Sequence, residues 1–157
     1  MRFENRANIV VGSKSFPSTK VQLAIATADR LLDHGSEMLM YTRGKTDWQY
    51  DVDFRTVAIK LATMPKKPIP IELYYPNKNS AQTASWDGKT ISISAYYHMR
   101  AENLDMVGSL VHEWCHAVGF HHQDKGWWGS VRRNYWSLNK SKYSVPYHLS
   151  DNIGLWI

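Results

Sequence analysis

The chain has 157 residues, 43% of them hydrophobic and 21% charged, with a formal net charge of +5 at pH 7. These proportions describe one globular domain with a real core and exclude a disordered or fibrous chain. A single cysteine excludes an internal disulfide framework, no run approaches the ~20 apolar residues of a membrane span, and the moderate positive charge does not call for a nucleic-acid partner.

The opening residues, MRFENRANIV, lack the apolar stretch of a signal peptide, so the expectation is a cytoplasmic chain or one assembled into a particle, with the compartment itself left open. Residues 16–35 predict an amphipathic helix. Val21, Ile25, Ala28 and Leu32 recur at helical steps, Ser18 or Thr19 serves as cap, and Gly35 is a stop signal. Two strands are expected next. Val57, Ile59 and Leu61 alternate in RTVAIKLA, and Ile69, Ile71, Leu73 and Tyr75 alternate in PIPIELYY. Pro68 and Pro70 argue for an edge or a strand start in the second.

Asp87-Gly88 is a hairpin-type turn. Beyond it Ile91, Ile93, Ala95 and Tyr97 face one way, and Thr90, Ser92, Ser94 and Tyr96 the other, as in an exposed edge strand. Residues 103–119, NLDMVGSLVHEWCHAVG, then predict a second helix capped by Asn103. Leu104, Val107, Leu110, Val111 and Trp114 supply its apolar surface. The order helix, strands, helix predicts an α+β domain with one mixed sheet.

Four of the seven histidines fall in one stretch, HEWCHAVGFHH, from His112 to His122. His112 and His116 stand at i and i+4, so one helical turn brings them to the same face, about 5–6 Å apart at Cβ. Glu113 is rotated by roughly 100° from His112, which sets it beside a metal held by the two imidazoles rather than on it. His122 would point away on a continued helix and returns only if the chain turns sharply. Gly119 is placed to make that turn, because glycine adopts the left-handed conformation that ends helices. His121 is the neighbouring rival for the third position. Three neutral imidazoles with an open fourth position describe a catalytic zinc site, with a carboxylate at hand to take a proton from the attacking water.

The stretch matches H-E-x-x-H-x-x-G-x-x-H, and in it the chain resembles the metzincin metallopeptidases. The resemblance implies a zincin-like mixed twisted sheet with a backing helix, an active-site helix and a small C-terminal subdomain. The cleft would separate an upper part, about 1–119, from a lower part, about 120–157. It implies one zinc ion (Zn2+) on His112, His116 and His122, with Glu113 as general base and acid. It also implies a protein or peptide substrate added along an edge strand at 90–96.

The clan carries a methionine turn below the metal, yet the last methionine here is Met106. Aligning Ser144-Val145 with the clan's turn puts Pro146 at the methionine position and His148 where some members have a tyrosine. Tyr143 and Tyr147 flank that place as candidate oxyanion helpers or plain core residues. LSDNIGLWI resembles the start of the C-terminal helix, with Ser150 as cap. Cys115 lies inside the helix and is expected to pack. The segment 123–143 mixes Trp127, Trp128, Tyr135 and Trp136 with Lys125, Arg132, Arg133, Lys140 and Lys142. It reads either as a substrate wall or as a small satellite core with solvated charges. The functional expectation is a zinc endopeptidase. The alternatives are a structural or adaptor protein, such as one of a phage particle, that keeps the fold and zinc, and a protein that binds or cleaves cell-wall peptide.

Overall fold

The computed structural model describes residues 1–7, 10–11, 14–15, 18–35, 37, 54–74, 82–98, 101–120 and 145–155. Over these the chain is α+β. Its strands are β1 (Phe3–Asn5), β2 (Val10–Val11), β3 (Lys14–Ser15), β4 (Ile69–Tyr74), β5 (Ala84–Trp86) and β6 (Ile91–Ser94). Its helices are α1 (Ser18–Asp33), α2 (Phe54–Ala62), α3 (Ala95–His98), α4 (Asn103–Ala117) and α5 (Val145–Asp151), followed by a 3-10 turn at Ile153–Leu155. No helix among the described residues is long and apolar enough to cross a membrane.

Four strands form one mixed sheet in the order β1-β4-β6-β5. β1, β4 and β6 run parallel, and β5 is antiparallel to β6. β2 and β3 pair separately as a short antiparallel ribbon. Ile69, Ile71 and Leu73 of β4 are buried, as their alternation predicts, together with Ile91 and Ile93 of β6. They share a core with Val21, Ala24, Ile25, Ala28 and Leu32 of α1 and with Val107, Leu110, Val111 and Trp114 of α4. The expected Asp87-Gly88 turn joins β5 to β6. Gly88 has φ +98°, and the Asp87 carboxylate accepts the N–H groups of Lys89 at 2.8 Å and Thr90 at 2.7 Å.

Five expectations are corrected. Residues 54–62 are a helix, not a strand. Val57, Ala58 and Leu61 are buried while Ile59 is 65% exposed, so the working period is helical. Of the two readings of Pro68 and Pro70 the edge is corrected and the strand start holds, because β4 is an inner strand that begins at Ile69. The backbone groups of residues 69 and 71 face β1, so those of Pro70 face the other way, before the first Ile71–Ile91 pair, where no donor is needed. The stretch 90–96 is not an edge, because β6 lies between β4 and β5 and gives way to α3 at Ala95. Among the described residues the edge strands are β1 and β5. The N-cap of α4 is Glu102, not Asn103, and Asp105 accepts the Glu102 N–H at 3.0 Å in a capping box. Finally, residues 145–151 form a helix where a turn was expected. Pro146 lies in its first turn, where the missing N–H leaves no bond unmade, and Ser150 is inside the helix rather than capping it.

Arg2, 1% exposed, ties β1 to the helices. Its guanidinium reaches Asp33 at 2.7 Å, Asp29 at 3.3 Å and the Ala62 carbonyl at 3.1 Å, and it lies 5.7 Å from the Trp114 ring. Lys20 of α1 donates to the carbonyls of His98 and Ala101, pinning the entrance to α4.

His98, in α3, is fully buried, and neither ring nitrogen reaches a partner in good hydrogen-bond geometry among the described residues. Burial pushes its pKa down from 6.5 to about 4, although the Thr83 backbone opposes the shift in part. The folded chain therefore binds this proton less readily than the unfolded chain. Its stability is whole above the unfolded value and falls as pH drops from about 6.5 towards 4, by up to about 3 kcal/mol. Denaturant titrations at about pH 7.5 and 4.5 should show a smaller acid loss in His98→Phe than in wild type. Equal losses would mean that other groups carry the pH dependence.

Candidate metal and catalytic site

The end of α4 builds the site. Val118 is the C-cap and Gly119 follows with φ +98°. The Gly119 N–H donates to the His116 carbonyl at 3.0 Å, and the Phe120 N–H donates to the Cys115 carbonyl at 2.8 Å. These are the two bonds of a Schellman motif, which requires a left-handed residue at Gly119. The helix stop expected from the sequence is therefore present, and for the reason given. Buried Phe120 packs back on the helix, with Lys60 over its ring.

This reversal also orients a histidine. It brings the Phe120 carbonyl 2.7 Å from Nδ1 of His116. A carbonyl only accepts, so Nδ1 carries the proton and the lone pair lies on Nε2. A ligating imidazole needs this arrangement, with its other nitrogen donating to a backbone oxygen. His112 stands one turn earlier, its ring 5.1 Å from that of His116 at an interplanar angle of 75°. α5 covers its other side. Tyr147 meets the His112 ring edge-on at 4.5 Å, and Ser150 Oγ lies 3.5 Å from His112 Nδ1. Of the two candidate tyrosines, Tyr147 is thus beside the site, whereas Tyr143 falls outside the described residues.

Glu113 is 6% exposed, unusual for a carboxylate without a cationic partner in the same helix turn. Burial raises its pKa from 4.5 to about 7, and a hydrogen bond from the Trp86 backbone acts against the rise. The strand register explains that bond. Thr83, Ser85 and Asp87 turn their backbone groups towards β6, so Trp86 turns its N–H outward from the sheet, where the carboxylate accepts it. Glu113 therefore sits at the outer edge of β5. A carboxyl held near neutrality in a dry setting suits proton transfer, and a divalent cation beside it would draw its pKa back down. Cys115 is fully buried in the core, and burial pushes its thiol pKa up, as a packing residue requires.

The donor types present are ones that zinc takes, though only part of a ligand set is in place. Two imidazoles on one helix face, at least one held as the Nδ1–H tautomer, adjoin a carboxylate on a neighbouring face. Among the described residues, no group of three or more His, Cys, Asp or Glu side chains is arranged to hold a metal. His122 and its rival His121 lie outside those residues, as does the aromatic and basic segment 123–143. Ser150 was missed as a site residue. Its helical spacing to Tyr147 would have exposed the pair had the segment been read as a helix. No protein-family model, curated protein or solved structure matches the chain.

Proposed function

We propose that the chain is a zinc-dependent endopeptidase of metzincin type, with His112, His116 and His122 as ligands and Glu113 as general base and acid. One observation carries the reading. His112 and His116 are adjacent on one helix face, beside a buried Glu113, and the helix ends at a left-handed glycine before His122. A bound zinc ion supplies a Lewis acid for the scissile carbonyl and acidifies the attacking water.

The chain's own residues do the rest. Glu113 accepts a proton from the water as its oxygen attacks the carbonyl carbon, then delivers that proton to the departing amine nitrogen as the C–N bond breaks. The Trp86 backbone lies close enough to the carboxylate to oppose the rise in its pKa. Substrate adds along β5, on the outward-facing backbone of Ala84 and the Trp86 carbonyl, in place of the 90–96 stretch.

The test is cleavage of an unbiased peptide library. Cleavage should be lost with a chelator and restored by zinc. Zinc bound without cleavage of any peptide would favour a structural or adaptor role for the same fold.

A further inference from the structure

α5 packs against α4 beside Gly108. A Cβ on Gly108 would lie in van der Waals contact with Ser150, 3.4 Å from its carbonyl oxygen and 3.9 Å from its Cβ. Gly108 is one turn before His112, so this packing brings α5 to that imidazole. Tyr147 meets the ring edge-on, and Ser150 reaches Nδ1 at 3.5 Å.

The Ser150 hydroxyl has a single proton, and its direction is set within α5. Oγ donates it to the Tyr147 carbonyl at 3.3 Å. With that proton engaged, Oγ meets His112 only as an acceptor. In this arrangement Nδ1 of His112 carries the proton, and the lone pair lies on Nε2. The Phe120 carbonyl imposes the same tautomer on His116. Two different elements, the Schellman turn and α5, thus present two Nε2 atoms from the same helix face.

We infer that Ser150 is a positioning residue for His112. It accepts the Nδ1–H, fixes the ring and its tautomer, and so prepares Nε2 as a ligand. The consequence for metal binding rests on the zinc reading above. The tautomer itself is a property of the chain without metal and is testable separately.

The experiment is a 15N–1H correlation spectrum of the histidine rings in metal-free protein at about pH 8, where imidazoles are neutral. The His112 signal is identified by its loss in His112→Asn. Wild type should show Nδ1–H at His112. Ser150→Ala should shift it towards Nε2–H, the form that a free histidine side chain prefers in water, and zinc affinity should fall by about 10-fold. Ser150→Thr keeps a hydroxyl and should retain both properties. Melting temperatures establish that each variant is folded.

If Ser150→Ala does not fold, the wild-type spectrum still decides, because Nε2–H at His112 overturns the inference. An unchanged tautomer and unchanged zinc affinity in folded Ser150→Ala overturn it as well. Nδ1–H at His112 in a chain that binds no zinc supports the Ser150 bond and removes the endopeptidase reading.

Discussion

Glu113→Gln is expected to bind zinc and fold as wild type does, while peptide hydrolysis falls by about 10²-fold or more. Glutamine keeps the size of the side chain and an oxygen that accepts the Trp86 N–H, but it takes no proton from water. Above neutral pH the variant should melt at the same temperature as wild type or higher. Its amide is spared the burial penalty that raises the Glu113 pKa to about 7. Zinc content, melting temperature and library cleavage, measured side by side, separate the possible causes. Equal cleavage by both proteins would remove Glu113 as the base. Loss of zinc in the variant would make the glutamate a ligand or a support for one.

Trp114→Ala is expected to destabilise the fold by about 3–5 kcal/mol, a large part of the ~5–15 kcal/mol that holds a domain together. Trp114 is 2% exposed and occupies the junction of three elements. Its Nε1–H donates to the Leu61 carbonyl at the end of α2 at 3.0 Å. Its ring meets Phe3 of β1 edge-on at 5.8 Å, with the Arg2 guanidinium nearby. Truncation therefore opens a cavity and removes the donor from a buried carbonyl at once. For a chain of this size the melting temperature should drop by about 10 °C or more. Trp114→Phe keeps the ring contact and should lose less. A drop below about 3 °C for the alanine variant would mean that the core closes over the gap.

The parts of the fold that were legible in the sequence are those in which one local rule dominates. The apolar steps of α1, the alternation of Ile69, Ile71 and Leu73, the Asp87-Gly88 turn and the helix stop at Gly119 all follow from nearest-neighbour geometry, and all are present. The strand expected at 55–62 failed because Val57 and Leu61 fit both periods. Only the fate of Ala58 and Ile59 distinguishes them, and that is decided by packing against α1 and Gly35. β1 was missed because its three residues have meaning only through their pairing with β4, more than sixty positions away.

Buried Arg2 gave no signal either, since an arginine beside the first residue reads as solvated until Asp29, Asp33 and the Ala62 carbonyl are brought around it. The edge strand was misplaced by one because alternation at 91–94 is the same whether or not β5 covers the outer side. In the site, the spacing of His112, Glu113 and His116 and the need for Gly119 were readable. The role of Phe120 in orienting His116 is local to the Gly119 turn but depends on its exact geometry, and the arrival of Tyr147 and Ser150 at His112 depends on tertiary contacts.

The most direct measurement is the zinc content of the purified chain and of two single variants. One zinc ion per chain is predicted, lost in His122→Ala and retained in His121→Ala. A chain that takes up no zinc would contradict the account at its centre, and zinc lost with His121→Ala but kept with His122→Ala would contradict the ligand assignment.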